Sequence, residues 1–192
     1  MEAAAAPRRP EGLDELTLRR AQRGDERAWR DLIEHYQRSV HALVWRLLAG
    51  RARHRTEDLV QETFVRVLRA LPTFDPAGAA TLSTWILTIA TRLVLNELRR
   101  PEPASLDREP LGGERADHAS ERARLGAAIA SGVAKLPEGQ RAVLVLREYH
   151  DLDYAEIADV LELDVGTVKS RLSRAREQLR DHLIAIGVRH EQ

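Results

Sequence analysis

Apolar positions fall at helical spacing in nearly every segment of this chain that carries a pattern. From Asp25, a residue suited to cap a helix, Trp29, Leu32, Ile33, Tyr36, Val40, Leu43, Val44 and Leu47 recur along one face up to Gly50, which predicts a long amphipathic helix. A shorter helix is predicted over Leu13 to Arg23, with Gly24 as the break. After a basic loop, Arg51 to Arg55, Thr56 is expected as an N-cap, with Glu57 and Asp58 where the helix dipole favours acids, and this helix should run to about Ala70. Pro72, Pro76 and Gly78 then mark a loop of about ten residues, longer than a simple helix-to-helix turn and so a candidate for function. Helical spacing resumes with Leu82, Trp85, Ile86, Ile89, Leu93 and Leu98 and closes at Arg99, Arg100 and Pro101.

From 101 to 120 the pattern gives way to Pro101, Pro103, Pro110, Gly112, Gly113 and scattered charges, which predicts a flexible linker. A second helical block begins near Glu121. The expected division is a disordered 1–12, a first helical domain over 13–100, the linker 101–120, a second helical domain over 121–186 and a tail, 187–192. The fold class is all-α, two small helical domains joined by a flexible linker. All three tryptophans and both phenylalanines precede the linker, so separate cores are expected. No internal repeat is visible.

Composition narrows the chemistry. The 192 residues carry 30 basic and 30 acidic side chains, a net charge of zero that argues against a protein coating nucleic acid without specificity, because such binding rests on phosphate neutralisation. DNA reading, if present, must be local. The absence of cysteine excludes disulfides, a thiolate nucleophile and a cysteine zinc site. The histidines show no pair at ligand spacing with carboxylates around it, so no metal is expected, and there is no glycine-rich phosphate loop, nucleophile motif or paired-carboxylate site. Neither an enzyme nor a cofactor is expected. Met1 to Gly12 does not read as a signal peptide, and the stretch Leu43 to Ala49 is short and interrupted by Arg46, far below the roughly 20 apolar residues of a spanning helix. Direct membrane insertion is not expected, and the compartment expected is the cytoplasm.

The sharpest local signal lies near the C-terminus. Asp153 and Glu156 have capping-box spacing, and Ile157, Ala158 and Leu161 supply the apolar face of a short helix. Glu162, Leu163 and Asp164 form a tight turn, and Asp164 can cap a second helix that turns Val165, Val168 and Leu172 inward. Charge separates by helix: Asp151, Asp153, Glu156, Asp159, Glu162 and Asp164 stand without any basic residue among them, whereas the second helix carries Lys169, Arg171, Arg174, Arg176 and Arg180. An ordinary helical hairpin with solvated charges would show one of these features. Spacing, caps and charge together predict a DNA-binding helix-turn-helix.

The segment Leu136-Pro137-Glu138-Gly139-Gln140-Arg141, then Tyr154-Ala155-Glu156-Ile157-Ala158, then Val165-Gly166-Thr167-Val168-Lys169-Ser170-Arg171-Leu172 with Arg174-Ala175-Arg176, resembles the promoter-reading domain four of bacterial sigma factors. Glu57-Asp58-Leu59-Val60-Gln61-Glu62-Thr63-Phe64 looks like sigma region two, and Trp85-Ile86-Leu87-Thr88-Ile89-Ala90 like its promoter-melting helix. Both motif sets, in this order, resemble an extracytoplasmic-function sigma factor over about residues 13 to 186.

That resemblance implies a protein that binds core RNA polymerase through its beta-prime and beta subunits, reads promoter DNA and answers to an anti-sigma factor. It places Asp58, Gln61 and Glu62 against the polymerase, and these residues with Val65 also form a helical stripe opposite Leu59, Val60, Phe64, Val67 and Leu68. It places a base-capturing pocket at the loop 72–82. Phe74 is a minus-ten candidate there, although side chains of the type of Phe74 and Trp85 more often serve a core, the role favoured for both. Thr84, Thr88, Thr91, Arg92, Asn96 and Arg99 are expected outward on the minus-ten DNA, and Thr167, Lys169, Ser170, Arg171, Ser173 and Arg174 on the minus-thirty-five element. Arg92 stands where the family often places asparagine. The alternatives are a stand-alone helix-turn-helix transcriptional regulator, which should bind a palindrome without polymerase, and a helical adaptor without DNA binding.

Overall fold

The computed structural model describes residues 12–49, 53–100 and 121–187, and every regular element among them is helical. The order is α1 (Glu15–Gln22), α2 (Glu26–Leu48), α3 (Thr56–Ala70), α4 (Leu82–Leu98), α5 (Glu121–Lys135), α6 (Glu138–Glu148), α7 (Tyr154–Leu161) and α8 (Val165–Ala185), with single 3-10 turns at Arg53–Arg55 and Leu71–Thr73. The expected linker 101–120, residues 1–11 of the expected N-terminal segment and 188–192 of the expected tail lie outside the described residues.

The helix boundaries follow from local chemistry. Asp25 sits in extended backbone and accepts from the Arg27 and Ala28 amides at 2.9 and 3.0 Å, satisfying two of the four donors a helix start leaves unpaired. Gly24, at φ +86°, turns the chain into that cap, and α2 ends at Ala49 in the left-handed region. Asp164 caps α8 in the same way through the Thr167 amide and hydroxyl, and these bonds hold its carboxyl below the usual carboxylate range.

Thr56 is not the cap that its position in the sequence suggests. The chain enters α3 from a 3-10 turn, so the cap position is Arg55 with φ −87° and ψ −2°, which offers no side-chain bond, and Thr56 is buried in the first turn. A side-chain N-cap needs extended backbone before the helix, and the turn removes it. Arg55 instead bonds Asp58 at 2.6 Å and Glu97 at 3.1 Å, tying the start of α3 to the end of α4.

Helices α1 to α4 form the first block and α5 to α8 the second, but their buried side chains make one continuous cluster instead of two cores. The reason lies in α4. Leu82, Ile86, Leu87, Ala90, Leu93, Val94 and Leu98 are all buried and lie around more than one side of the helix. A helix apolar on several sides must be covered on several sides. Helices α2 and α3 cover part of α4, and α7 of the second block covers another part. A second contact joins α2 to α6 and the turn after it: the Arg46 guanidinium lies 4.2 Å from the Tyr149 ring centroid, and Ser39 Oγ is 3.3 Å from Nδ1 of the fully buried His150. Burial, and secondarily the Arg46 charge, push the His150 pKa down to about 4.

Candidate nucleic-acid and polymerase-binding surfaces

Helix α3 divides as its pattern predicts. Of the expected apolar side Leu59, Phe64 and Val67 are buried and Val60 and Leu68 partly so, with Thr63 buried among them, while Asp58, Gln61 and Val65 are exposed and Glu62 partly exposed on the other side. Asp58 pairs with Arg55, and Glu62 with Arg66 at 2.5 Å, one turn along the same helix. Such exposed pairs contribute about 0 to 1 kcal/mol and are readily exchanged for a partner's charges. Sequence reasoning missed the neighbouring part of α2. Trp45 is 41% exposed and stacks on His41, whose Nε2 is 3.1 Å from Glu57, and Gln37, Arg38, His41, Glu57 and Val60 line a shallow groove between α2 and α3. The available signal was a tryptophan lying off the apolar face of α2.

The loop after α3 is held by α1. Gln22 Nε2 donates to the carbonyls of Leu71 and Phe74 at 3.1 and 2.8 Å, an amide bridge that fixes the loop's entry. Phe74 packs tilted against Trp85, centroids 4.9 Å apart, and both are partly buried against the core. Asp75 accepts from the Ala77 amide, and Thr81 Oγ1 caps α4 by accepting from the Thr84 amide.

On α4 the outward expectation holds for Arg92, Asn96 and Arg99, which are exposed, and in part for Thr88, whose hydroxyl donates to the Thr84 carbonyl at 2.8 Å. It fails for Thr84 and Thr91, which are 4% and 0% exposed. Both lie on the side of α4 that α7 would cover by spacing, and Thr84 demonstrably meets it: Thr84 Oγ1 donates to Glu156 Oε1 of α7 at 2.8 Å. Arg92 bonds Glu162 at the other end of α7 at 3.0 Å. Between Arg92, Leu95, Asn96 and Arg99 on α4 and Val160, Leu161 and Glu162 on α7 lies a groove of about 200 Å³.

The helix-turn-helix forms around its caps. The Asp153 carboxylate accepts from the Glu156 amide at 2.8 Å while Glu156 Oε2 accepts from the Asp153 amide at 2.9 Å, so both bonds of the capping box are present. Glu162, at φ +55°, ends α7, and Asp164 starts α8 two residues later. Val168, Leu172 and Ala175 bury one side of α8. Lys169, Ser170, Ser173 and Arg174 are exposed on the other. Thr167 is engaged by its cap, and Ser170 Oγ donates to the Thr167 carbonyl. Arg171 differs from its neighbours: it is only half-exposed, and its guanidinium passes so close to Gly139 of α6 that a Cβ there would lie 2.9 Å from Nη1. Arg176 is held by Glu148 at 2.6 Å. Among the described residues no group of three or more histidine or acidic side chains could hold a metal, and no helix is long and apolar enough to cross a membrane.

Comparison with known proteins accounts for both blocks. The profile of Sigma-70 region 2 matches residues 32–102, and that of Sigma-70 region 4 matches residues 127–179. The two together define a sigma-70-type transcription initiation factor, a class of non-enzymatic DNA-binding proteins. ECF RNA polymerase sigma factor SigW of Bacillus subtilis is 32% identical over 86% of this chain and 94% of its own length, and the RNA polymerase sigma-H factor of Pseudomonas aeruginosa is 35% identical over 86% and 91%. ECF sigma factor SigE of Mycolicibacterium smegmatis is 35% identical over 83% of this chain, which spans 64% of that protein. Among solved structures, CnrH in complex with the cytosolic domain of CnrY superposes with a TM-score of 0.65 at 27% identity, covering 90% of this chain and 97% of the other. The sigma factor RpoE of Bartonella quintana shares the fold at a TM-score of 0.62 and 19% identity, covering 80% and 95%. The chain belongs to the ECF RNA polymerase sigma factors.

Proposed function

We propose that this chain binds core RNA polymerase through the outward stripe of α3 and the adjoining part of α2, reads the minus-thirty-five element with α8, and holds the unpaired minus-ten strand with α4 and the loop before it. The observation that carries this reading is the pairing of two surfaces in one chain, a solvated acidic stripe on Asp58, Gln61 and Glu62 and a basic face on a capped recognition helix. Trp45 and Val65, exposed apolar side chains of α2 and α3, would supply the area that such charges alone do not.

On α8, Lys169, Ser170, Ser173 and Arg174 are the side chains presented to DNA; Thr167 sits at the helix N-terminus, where backbone amides favour a phosphate, and Arg171 supports the helix from behind. On α4, Arg92, Asn96 and Arg99 are presented to the strand, and Phe74 with Trp85 serves the loop mainly as core. The chain performs no covalent chemistry; it contributes binding energy that selects a promoter and stabilises its open form. It works in the cytoplasm, where polymerase and promoter are. The complex of CnrH with the cytosolic domain of CnrY supports control by a protein partner, in keeping with the anti-sigma factor that the family resemblance implies.

Run-off transcription with purified core polymerase tests the proposal. Promoter-dependent transcripts are expected with the wild-type chain. Asp58→Lys with Glu62→Lys should weaken polymerase binding by about 2 to 5 kcal/mol if those charges are buried on binding, and leave the unfolding midpoint nearly unchanged. Binding of a palindromic duplex without polymerase, and no transcript with it, would favour the stand-alone regulator.

A further inference from the structure

We propose that Gln22, at the end of α1, is a positioning residue for minus-ten recognition: its side-chain amide clamps the loop between α3 and α4 by two backbone carbonyls and so sets how strongly that loop discriminates among bases of the promoter strand. The inference rests on the assignment of the loop to the unpaired strand made above. It gives α1, which carries none of the residues assigned to polymerase or DNA, a part in reading the promoter.

The loop's own bonds do not fix its place. Asp75 Oδ1 accepts from the Ala77 amide at 2.9 Å, and the Asp75 carbonyl accepts from the Gly78 amide at 3.1 Å. These bonds shape the turn from within and would travel with it if the whole segment shifted. At its far end the loop is tied by Thr81, whose Oγ1 accepts from the Thr84 amide at the start of α4. At its near end the chain leaves the turn Leu71–Thr73 through Phe74 in extended backbone, φ −68° and ψ 125°, and Pro76 brings no amide donor. No backbone amide among those that shape the loop reaches the Phe74 carbonyl.

Gln22 fills that gap. Its Nε2 donates to the Leu71 and Phe74 carbonyls at 3.1 and 2.8 Å, 49 and 52 residues further along the chain. A side-chain amide holds its two N–H groups in one plane, so the two carbonyls are fixed relative to each other as well as to α1. The peptide after Phe74 thus takes its direction from outside the loop. The Phe74 ring tilted on Trp85 is a second outside contact, but ring packing tolerates sliding where an N–H···O bond is directional.

The clamp has a rigid base. Gln22 is the last residue of α1 and half-buried, and the carbonyl of buried Ala21 beside it accepts from Trp29 Nε1 of α2 at 2.7 Å. Arg20 pairs with Asp25, the cap of α2, at 2.9 Å. A line of contacts therefore runs from α2 through Trp29 and Ala21 to Gln22, and from there into the loop. Telling one base edge from another requires donors and acceptors placed to a fraction of an ångström, and a shift of about 1 Å is enough to cost a site most of its discrimination. Loosening the clamp lowers selectivity at the loop and leaves the surfaces on α3 and α8 as they are.

The test uses holoenzyme assembled from the full chain and core polymerase. A pool of duplex templates randomised over the promoter region is transcribed by the wild-type holoenzyme, and the most active template is remade with each single-base change in its minus-ten and upstream elements. Gln22→Met removes both donors at similar length, Gln22→Glu sets a carboxylate against the two carbonyls, and Gln22→Lys returns a donor able to reach them. With Gln22→Met and with Gln22→Glu, preference for the correct base at one minus-ten position or more should fall about tenfold, and amide hydrogen exchange of the 71–81 peptide in the free chain should quicken by a similar factor. Upstream selectivity and affinity for core polymerase should stay at the wild-type level, and Gln22→Lys should restore both altered readings. Unchanged exchange in the loss variants, or faster exchange with unchanged minus-ten selectivity, would overturn the proposal. So would a loss of selectivity shared equally by the upstream element, or one that Gln22→Lys fails to reverse, since either marks a merely structural role. A wild-type holoenzyme with upstream preference and none at the minus-ten element would sink the assignment of the loop and the proposal with it; a minus-ten preference insensitive to Gln22 removes the proposal alone.

Discussion

Helices α4 and α8 are the two surfaces of this molecule assigned to DNA, and they are built in opposite ways. Helix α8 carries the side chains proposed to meet DNA on an exposed face: one side is anchored by Val168, Leu172 and Ala175, and Lys169, Ser170, Ser173 and Arg174 need nothing beyond a stable helix to be presented. Helix α4 is buried nearly all round and meets solvent mainly at Arg92, Asn96 and Arg99, near its end. A helix that reads duplex from outside can be finished in the free chain. One whose hydroxyls lie under another helix is completed by its packing instead, and Thr84 and Thr91 of α4 are buried in this way.

The largest expected effect comes from breaking the cover. Val160 is buried in α7 and lines the groove against α4, and Val160→Ala should cost about 2 to 3 kcal/mol in denaturant unfolding. Below the midpoint it should also raise DNA cross-linking to α4 while leaving cross-linking to α8 near the wild-type level. Equal gains at both helices would remove the contrast between them.

Acid should act on the second contact between the blocks. His150 is neutral when folded, with a pKa near 4 against an ordinary 6.5, and it faces Ser39 and the Arg46 guanidinium, with Tyr149 beside it. Below pH 6.5 the unfolded chain takes up a proton that the folded chain refuses, so stability is complete above pH 6.5 and falls as pH drops towards 4. At about 1.4 kcal/mol per unit the loss is about 3 kcal/mol. Unfolding free energies measured at pH 7 and pH 4.5 should show it, and His150→Gln should flatten that part of the profile. An unchanged slope in the variant would assign the acid sensitivity to other groups.

Smaller effects separate reading from support within α8. Arg174→Ala should leave the unfolding midpoint unmoved and either relax one base position at a cost of about 1 to 3 kcal/mol or lower the salt slope of duplex binding by about 1. Arg171→Ala should lose stability first, by about 1 kcal/mol, because its stem and guanidinium pack over Gly139. If both variants behaved alike in thermal melts and in DNA titrations, the distinction between them would be lost.

Much of the fold is legible in the residues themselves. The long helices of the first block and the helix pair from Asp153 follow from apolar spacing, whereas α5 and α6 are foreseen only as a helical block beginning near Glu121, and Asp25, Asp153 and Asp164 act as caps because each precedes a helix in extended backbone. Thr56 misled because capping depends on how the chain arrives, and the 3-10 turn before it is set by packing. Thr84 and Thr91 misled for a related reason. Hydroxyl residues at helical spacing read as an outward face, yet whether that face is wet depends on a helix seventy residues further on. The one available hint was that α4 has more apolar positions than α2 and α3 can cover. Separate cores were expected from the distribution of aromatics, but aliphatic side chains of both blocks make the shared cluster. The candidate surfaces on α3 and α8 were legible as faces because they require only local periodicity.

The arrangement of the two blocks differs with and without polymerase if α4 is to be reached by DNA. Energy transfer between labels at positions 30 and 178 of the wild-type chain measures it in a single titration. The prediction is high transfer in the free chain, falling as core polymerase is added and staying low when promoter DNA follows. Transfer that is already low before polymerase, or that stays high in a transcribing complex, would contradict the claim that α4 is covered at rest and uncovered for use.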